Sequence, residues 1–278
     1  MTPARQSCED DPVRPSPVAV VLGSSFSDGF PGELALVPER IPTREGPVTL
    51  YRTSRGPEAF CLFRHGLPHQ LLPNQIAWRA NALALREVGV GGLLVTSSVG
   101  VLDASVPLYQ PLLVSDLLML ENRLPDGSQC TLFQQPSPDQ AHLVLEEGIV
   151  SRALDAQVEK LAAAVGQPIV GRVVFGYAPG PRTKTRAENA AWARLGAQVN
   201  SMTLGPELVL AGELGIPCCG LVVGHKYSLP GQGAAKGEDV AGSLLRARAA
   251  LGAIVRAFLA EGAAVAPGNS LFRFGARE

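Results

Sequence analysis

No run in this chain approaches the ~20 consecutive apolar residues needed to span a bilayer. Met1 to Pro17 has no apolar core and cannot act as a secretory signal; its mix of Asp, Glu, Pro and Arg reads as a loose polar tail. Charge is scarce: 18% of residues are Asp, Glu, Lys or Arg, and the formal net charge is −1. That balance offers no basic stripe to nucleic acid and no basic patch to a membrane, so neither is expected as a partner. Five cysteines (Cys8, Cys61, Cys130, Cys218 and Cys219) are odd in number and lack paired metal-ligand spacing. Cys218-Cys219 lies inside an apolar run and reads as buried strand, not a redox pair. Reduced thiols, no metal and a cytoplasmic protein are the expectation. Apolar residues are plentiful at 46%, which over 278 residues supports one large α/β domain.

Short apolar runs recur, each closed by small or polar residues. Pro17 to Gly23 reads as a buried strand, followed by Ser24-Ser25-Phe26-Ser27-Asp28-Gly29. That segment is either an ordinary turn or one that offers N–H groups and hydroxyls to an anion. Ala59 to Phe63 is extended and runs into Arg64-His65, a surface pair or a cation and imidazole at a sheet edge. Asn74 reads as the N-cap of a helix carrying Ile76, Ala77, Ala80, Leu83 and Ala84 up to Gly89, with Trp78 packing. Gly91 to Val95 is a strand ending in Thr96-Ser97-Ser98-Val99-Gly100. Leu112 to Leu120 is another, with Asp116 inside it as a buried carboxylate that needs a partner. Residues 121–141 form a long loop, suited to a lid or an interface.

His142 to Ala164 has helical spacing, and Gln167 to Tyr177 is strand-like. Ile216 to Val223 reads as a buried parallel strand ending in Gly224-His225-Lys226-Tyr227-Ser228. Gly231 to Lys236 is a flexible loop, Asp239 to Leu259 a closing helix, and the chain beyond Ala264 a partly disordered tail. The expected organisation is a flexible tail at 1–16, one domain at 17–263 and a C-terminal tail at 264–278. Its fold class is α/β, a single domain with a mixed central sheet flanked by helices.

The stretch from Pro179 to Glu207 organises the rest. A Gly-Pro turn leads into a helix from Ala187 to Leu195, a break at Gly196, the extended piece Asn200-Ser201-Met202-Thr203, and a helix from Pro206 to Leu214. Such a loop at the carboxyl end of a strand is where α/β sheets place ligands. Ser24, Arg64-His65, Ser97-Ser98, Met202-Thr203 and His225-Lys226 each follow an apolar strand and can converge on one face. Hydroxyls with one Arg and one His suit a phosphate. GSSFSDG lacks the Lys of a P-loop and the glycines of a dinucleotide fingerprint.

On these residues the chain resembles the trimeric purine nucleoside phosphorylases, and within them the branch that includes 5′-methylthioadenosine phosphorylase. VAVVLGSS looks like the family's first strand and phosphate turn, RHGLPHQLLPNQIAWRANALAL like that branch's RHG-x-x-H segment and following helix. LLVTSSVGVL resembles its T-x-A-x-G-x-L turn, GPRTKTRAE its GPR-x-x-x-RAE, and NSMTLGPELVLAGELGI its N-M-[ST]-T-V-P-E block. The resemblance covers roughly Val18 to Leu259. It implies phosphorolysis of a nucleoside to free base and pentose 1-phosphate, with inorganic phosphate as co-substrate and no cofactor, in a homotrimer whose 121–141 loop reaches a neighbour's site. It implies phosphate contacts at Ser24, Arg64, His65, Ser97 and Thr203, with Arg64 and His65 catalytic, and ribose contacts at Ser98 and Met202.

Departures fall on the base side. Thr183 and Lys184 replace the family's aromatic and its Glu or Ser, His225-Lys226-Tyr227-Ser228 replaces Thr-Asp-x-Asp, and Gln110-Pro111 replaces a Gly-Asp. The expected base site is Thr183, Lys184, His225, Lys226 and Ser228, with Lys226 or His225 donating the proton to a non-standard base. A Lys cannot accept a hydrogen bond from a purine N–H, but it donates to a carbonyl, ring nitrogen or carboxylate. The alternatives are a family member that binds a nucleoside or sugar phosphate without turnover, and a hydrolase, which needs a carboxylate to activate water.

Overall fold

The computed structural model describes residues 16–30, 34–229 and 240–274. The first part of the N-terminal tail, Cys8 within it, and the expected Gly231–Lys236 loop lie outside these residues. The described chain contains eleven strands. They are β1 (Val18–Leu22), β2 (Leu36–Ile41), β3 (Val48–Thr53), β4 (Ala59–Phe63), β5 (Gly92–Val101), β6 (Pro111–Leu118), β7 (His142–Val144), β8 (Arg172–Tyr177), β9 (Val199–Ser201), β10 (Cys218–Tyr227) and β11 (Ser270–Phe272). Five α-helices accompany them: α1 (Trp78–Glu87), α2 (Arg152–Ala164), α3 (Arg186–Arg194), α4 (Gly205–Gly212) and α5 (Val240–Glu261).

Nine strands form one mixed sheet in the order β10-β6-β8-β9-β5-β1-β4-β3-β2. Because β10 also pairs with β5, five strands close into a small barrel, and β1, β4, β3 and β2 continue from β5 as an open wing. The apolar runs explain the arrangement. β1 is buried along its whole length, and its side chains alternate between two cores. Ala19 and Val21 join Val95, Val99 and Phe175 in the core that fills the barrel and reaches α1 and α4. Val20 and Leu22 join Leu94, Leu154, Leu251 and Phe258 under α2 and α5.

The barrel is tight where β10 meets β6. A Cβ added to Gly220 would lie 2.8 Å and 2.9 Å from Val114 side-chain carbons in the sheet interior. Gly220→Ala is therefore expected to destabilise by about 1–3 kcal/mol, the range for overpacking a filled core. Urea unfolding would show this as a lower midpoint at unchanged m-value.

Several expectations are corrected. Asn74 is not a helix cap: it sits in a short 3-10 turn over Pro73–Gln75, and extended backbone at Ile76 delays the helix to Trp78. Trp78 is buried, as a packing residue should be. Asp116 is exposed, because the register of β6 shifts between Val114 and Asp116 and turns the strand's end outward. His142 to Val144 is strand and not helix: Gly148 at φ 101 breaks the backbone, and the helix starts after Ser151, whose hydroxyl accepts from the Leu154 N–H. β7 pairs with β11, so the stretch after Ala264 is tied to the domain through Ser270–Phe272. The 121–141 segment is a loop as expected. Arg79 anchors it, donating to the Thr131 and Gln129 carbonyls and to the Ser128 hydroxyl.

Candidate active site

The barrel opens where β5 changes partners along one edge. Val95 pairs with β1 and Gly100 with β9, so Thr96 to Val99 has no strand on that side among the described residues. These residues belong to the strand and not to a turn after it, because β10 runs alongside as far as Val101. Three hydroxyl-bearing segments converge at the opening. Ser25 and Ser98 share a hydrogen bond between their hydroxyls, and Ser97 Oγ donates to Ser201 Oγ at 3.3 Å. Thr96 Oγ1 accepts from the Gly23 N–H at 3.3 Å and donates to the Val21 carbonyl at 2.9 Å, which fixes the Gly23–Ser24 turn.

A cavity of about 370 Å³ occupies this opening, and every sequence-predicted site residue except Arg64 lines it: Ser24, His65, Ser97, Ser98, Thr183, Lys184, Met202, Thr203, His225, Lys226 and Ser228. His69, Asn189, Asn200 and Ser201 line it as well and were missed. Asn200 and Ser201 stand directly before Met202, and Asn189 directly after Glu188, so adjacency to the motifs was the available signal. A larger hollow of about 460 Å³ near Arg44, Phe133 and Arg273 contains none of the predicted residues.

Arg64 lies behind the cavity wall instead. It is 1% exposed, and its Nη2 donates to the Thr96 carbonyl at 2.5 Å. Its Nε lies 3.1 Å from Glu207 Oε1, an ion pair by distance but without hydrogen-bond alignment. Burial pushes the guanidinium pKa down and that of Glu207 up, and each charge opposes the other's shift. The second Glu207 oxygen accepts from the Leu204 N–H at 2.8 Å. Leu204 has φ 71, a region that non-glycine residues seldom enter. Glu207 thus holds both Arg64 and the bend between Thr203 and α4. The Arg64 Cζ lies 4.0 Å from where a Gly23 Cβ would be, so its charge underlies the Gly23–Ser24 turn.

His65 donates its Nδ1–H to the Leu71 carbonyl at 2.8 Å and stacks on His69 with ring centroids 4.3 Å apart. Burial first, then the Arg64 charge, lowers its pKa to about 4, which leaves a neutral ring with Nε2 as acceptor.

The other end of the cavity is set by the GPR-x-x-x-RAE segment. Arg182 grips Glu188 with two hydrogen bonds of 2.9 Å and 2.6 Å, and Thr185 caps α3, so the loop carrying Thr183 and Lys184 is held at both ends. Lys184 is brought down to about 8 by burial and then by Lys226, with Glu188 opposing. The register of β10 shifts between Gly224 and Lys226, a bulge that leaves His225 unpaired opposite β5. His225 meets Ser243 Oγ at 3.3 Å, and burial with the charges of Lys226 and Lys184 lowers it to about 4. Between the two ends, Met202 packs against Gly180 so closely that a Cβ there would collide with its sulfur.

Residues 17–260 match the model of a family described as the phosphorylase superfamily. The chain belongs to that superfamily. This phosphorylase is 32% identical to a probable S-methyl-5′-thioinosine phosphorylase of Methanopyrus kandleri over 72% of its own length and 74% of the relative's. It is 31% identical to a 6-oxopurine nucleoside phosphorylase of Pyrococcus furiosus, over 71% of this chain and 74% of the other. Its fold matches the crystal structure of a methylthioadenosine phosphorylase from an antarctic soil metagenomic library with a TM-score of 0.77 at 19% identity, covering 89% and 86% of the two chains. The expected family and fold class hold, and the phosphorylase is an enzyme of the pentosyltransferase type that its relatives represent. Among its described residues no helix is long and apolar enough to cross a membrane.

Proposed function

We propose that the enzyme cleaves the N-glycosidic bond of a nucleoside with inorganic phosphate, giving free base and pentose 1-phosphate. The observation that carries this reading is one cavity with anion-holding hydroxyls at one end, lysines at the other and Met202 between them. Ser24, Ser97 and Thr203 hold the phosphate with His65, over the buried Arg64 charge. A phosphate oxygen attacks C1′, the C1′–N bond breaks with its electron pair moving to the base, and the fixed donors stabilise the developing charges. Met202 and Ser98 take the sugar, the thioether giving apolar contact without competing as a nucleophile. Thr183, Lys184, Lys226 and Ser228 meet the base. His225 is neutral above about pH 4 and has no proton to give, so protonation of the departing base falls to the lysines. Homotrimer assembly and a cytoplasmic location complete the reading.

The test is mass spectrometry of a nucleoside panel incubated with and without phosphate. Phosphate-dependent pentose 1-phosphate is expected. Cleavage without phosphate would replace phosphorolysis by hydrolysis, a reading made weaker by the lack of any carboxylate among the described residues lining the cavity. No turnover on any nucleoside would favour a binding protein.

A further inference from the structure

We infer that the cavity is built for a base that is itself anionic, a purine with an acidic oxo function ionised near neutral pH. This rests on the phosphorolytic reading and narrows its substrate class. Lys184 and Lys226 line the same cavity, and neither ammonium has a hydrogen bond or salt bridge among the described residues. No Asp or Glu lines the cavity among those residues. Among the described residues the one carboxylate acting on Lys184 is Glu188, which is already taken by both Arg182 nitrogens and the Thr185 N–H. Two ammoniums in a partly enclosed space repel each other and disfavour each other's charge, unless an anion sits between them.

Phosphate does not fill that role. The cation beside His65 is Arg64, whereas those beside His225 are Lys184 and Lys226, so the lysines stand apart from the arginine. Along the β5–β10 ladder Val223 faces Ser98 while Lys226 faces Gly100, two residues further on. That displaces the Lys226 backbone by roughly 7 Å from the serine at the sugar and phosphate end. Asn189, Asn200 and Ser228 line the same end. Asn200 Nδ2 donates to Asn189 Oδ1 at 3.0 Å, which fixes the amides as neutral walls.

Two lysines answer the charge balance of the step. An ionised base carries one negative charge before cleavage. When the C1′–N bond breaks, its electron pair adds a second charge on the departing nitrogen. One ammonium pairs with the ionised oxygen throughout. The other transfers a proton to the nitrogen, so the base leaves as a monoanion, and the amine regains its proton from water after release. A neutral adenine or hypoxanthine needs only the proton and leaves one ammonium without a partner.

Xanthosine and xanthine are the probes, with inosine and hypoxanthine as the neutral counterparts. In the presence of phosphate, kcat/KM for xanthosine is expected to exceed that for inosine by roughly 10- to 100-fold, the factor that one charge-assisted hydrogen bond carries. Calorimetric binding of xanthine against hypoxanthine should give a ratio of the same order without any turnover. Lys184→Met and Lys226→Met should each draw that ratio toward one. Selectivity for xanthine should fall as pH rises through about 8, where Lys184 loses its proton. Among the described residues Lys226 from β10 and Glu188 from α3 are the charged groups acting on it, and only Glu188 works to retain the charge; His225 on β10 is a neutral ring at that pH.

Xanthine binding no tighter than hypoxanthine would overturn the inference even if phosphorolysis of other nucleosides is found. So would a preference for inosine carrying a 5′-carboxylate over xanthosine, which would assign the lysines to the 5′ end. Selective xanthine binding with no phosphate-dependent turnover would instead remove the phosphorolytic reading and leave the acidic-purine site standing. The wild-type binding ratio decides the matter if the variants fail to fold.

Discussion

Glu207→Gln is expected to cost about 3–5 kcal/mol of stability, the penalty for breaking a buried ion pair from one side. Gln keeps the shape and an oxygen for the Leu204 N–H, so the helix start has its acceptor. What it removes is the charge facing Arg64, whose side chain is fully shut off from water. A guanidinium does not escape by losing its proton. The fold must then let water in or move Arg64, and either displaces the charge beneath the Gly23–Ser24 turn. kcat/KM for phosphate should fall with stability, by about 10²–10³-fold, the range for losing one preorganised electrostatic group. The double variant Arg64→Met with Glu207→Gln separates the two effects. Neither charge remains, so most of that loss should be recovered, short of wild type by about 1–3 kcal/mol for the buried amide left without a partner. Activity should stay low, because the phosphate still lacks its cation. Urea unfolding and phosphate saturation curves on the three proteins check this. A double variant with wild-type activity would show that Arg64 is structural only.

The parts of this fold that could be read from the sequence are those where one residue type settles the matter locally. Val18–Leu22 and Ala59–Phe63 are short runs buried on both faces, and no other element fits them. The wing strands β2 and β3 went unread because Pro38, Glu39 and Arg40 look like loop residues, yet as an edge strand facing solvent β2 tolerates them. Leu143 and Leu145 fit a helical pattern and a strand alternation equally well. Only the distant β11 decides between them. The site was legible as a set of polar clusters, but its opening was not, since that depends on β5 passing from β1 to β9. The place of Arg64 was also out of reach, because Glu207 lies far along the chain. Lys184 and Lys226 stood out as departures, whereas their mutual exposure to one cavity comes from a β-bulge and an Arg182–Glu188 clamp.

His65→Ala is expected to lower kcat/KM for phosphate by about 10²-fold and to weaken the preference for phosphate over anions that carry no proton. With Nδ1–H committed to the Leu71 carbonyl, Nε2 is the ring nitrogen left for the cavity. In the free protein it is a bare lone pair, because burial and Arg64 hold the pKa near 4. A lone pair facing a phosphate oxygen is repulsive unless a proton lies between them. Hydrogen phosphate brings that proton on its own hydroxyl, which donates to Nε2, so the dianion and the neutral imidazole bind together without net proton uptake. KM for total phosphate should therefore stay level as pH rises through the second ionisation of phosphate. Sulfate, a dianion of the same shape that carries no proton, should compete weakly with phosphate in wild type and gain relative to phosphate in the variant. Folding carries a linkage of its own. A native imidazole pKa of about 4 lies below the ordinary ~6.5, so stability is intact above that ordinary value and declines as pH falls toward 4. Bound phosphate restores a partner for the proton and should protect the fold most in that acidic window. An unchanged phosphate-to-sulfate preference in His65→Ala would place the shared proton on another group and remove His65 from phosphate binding.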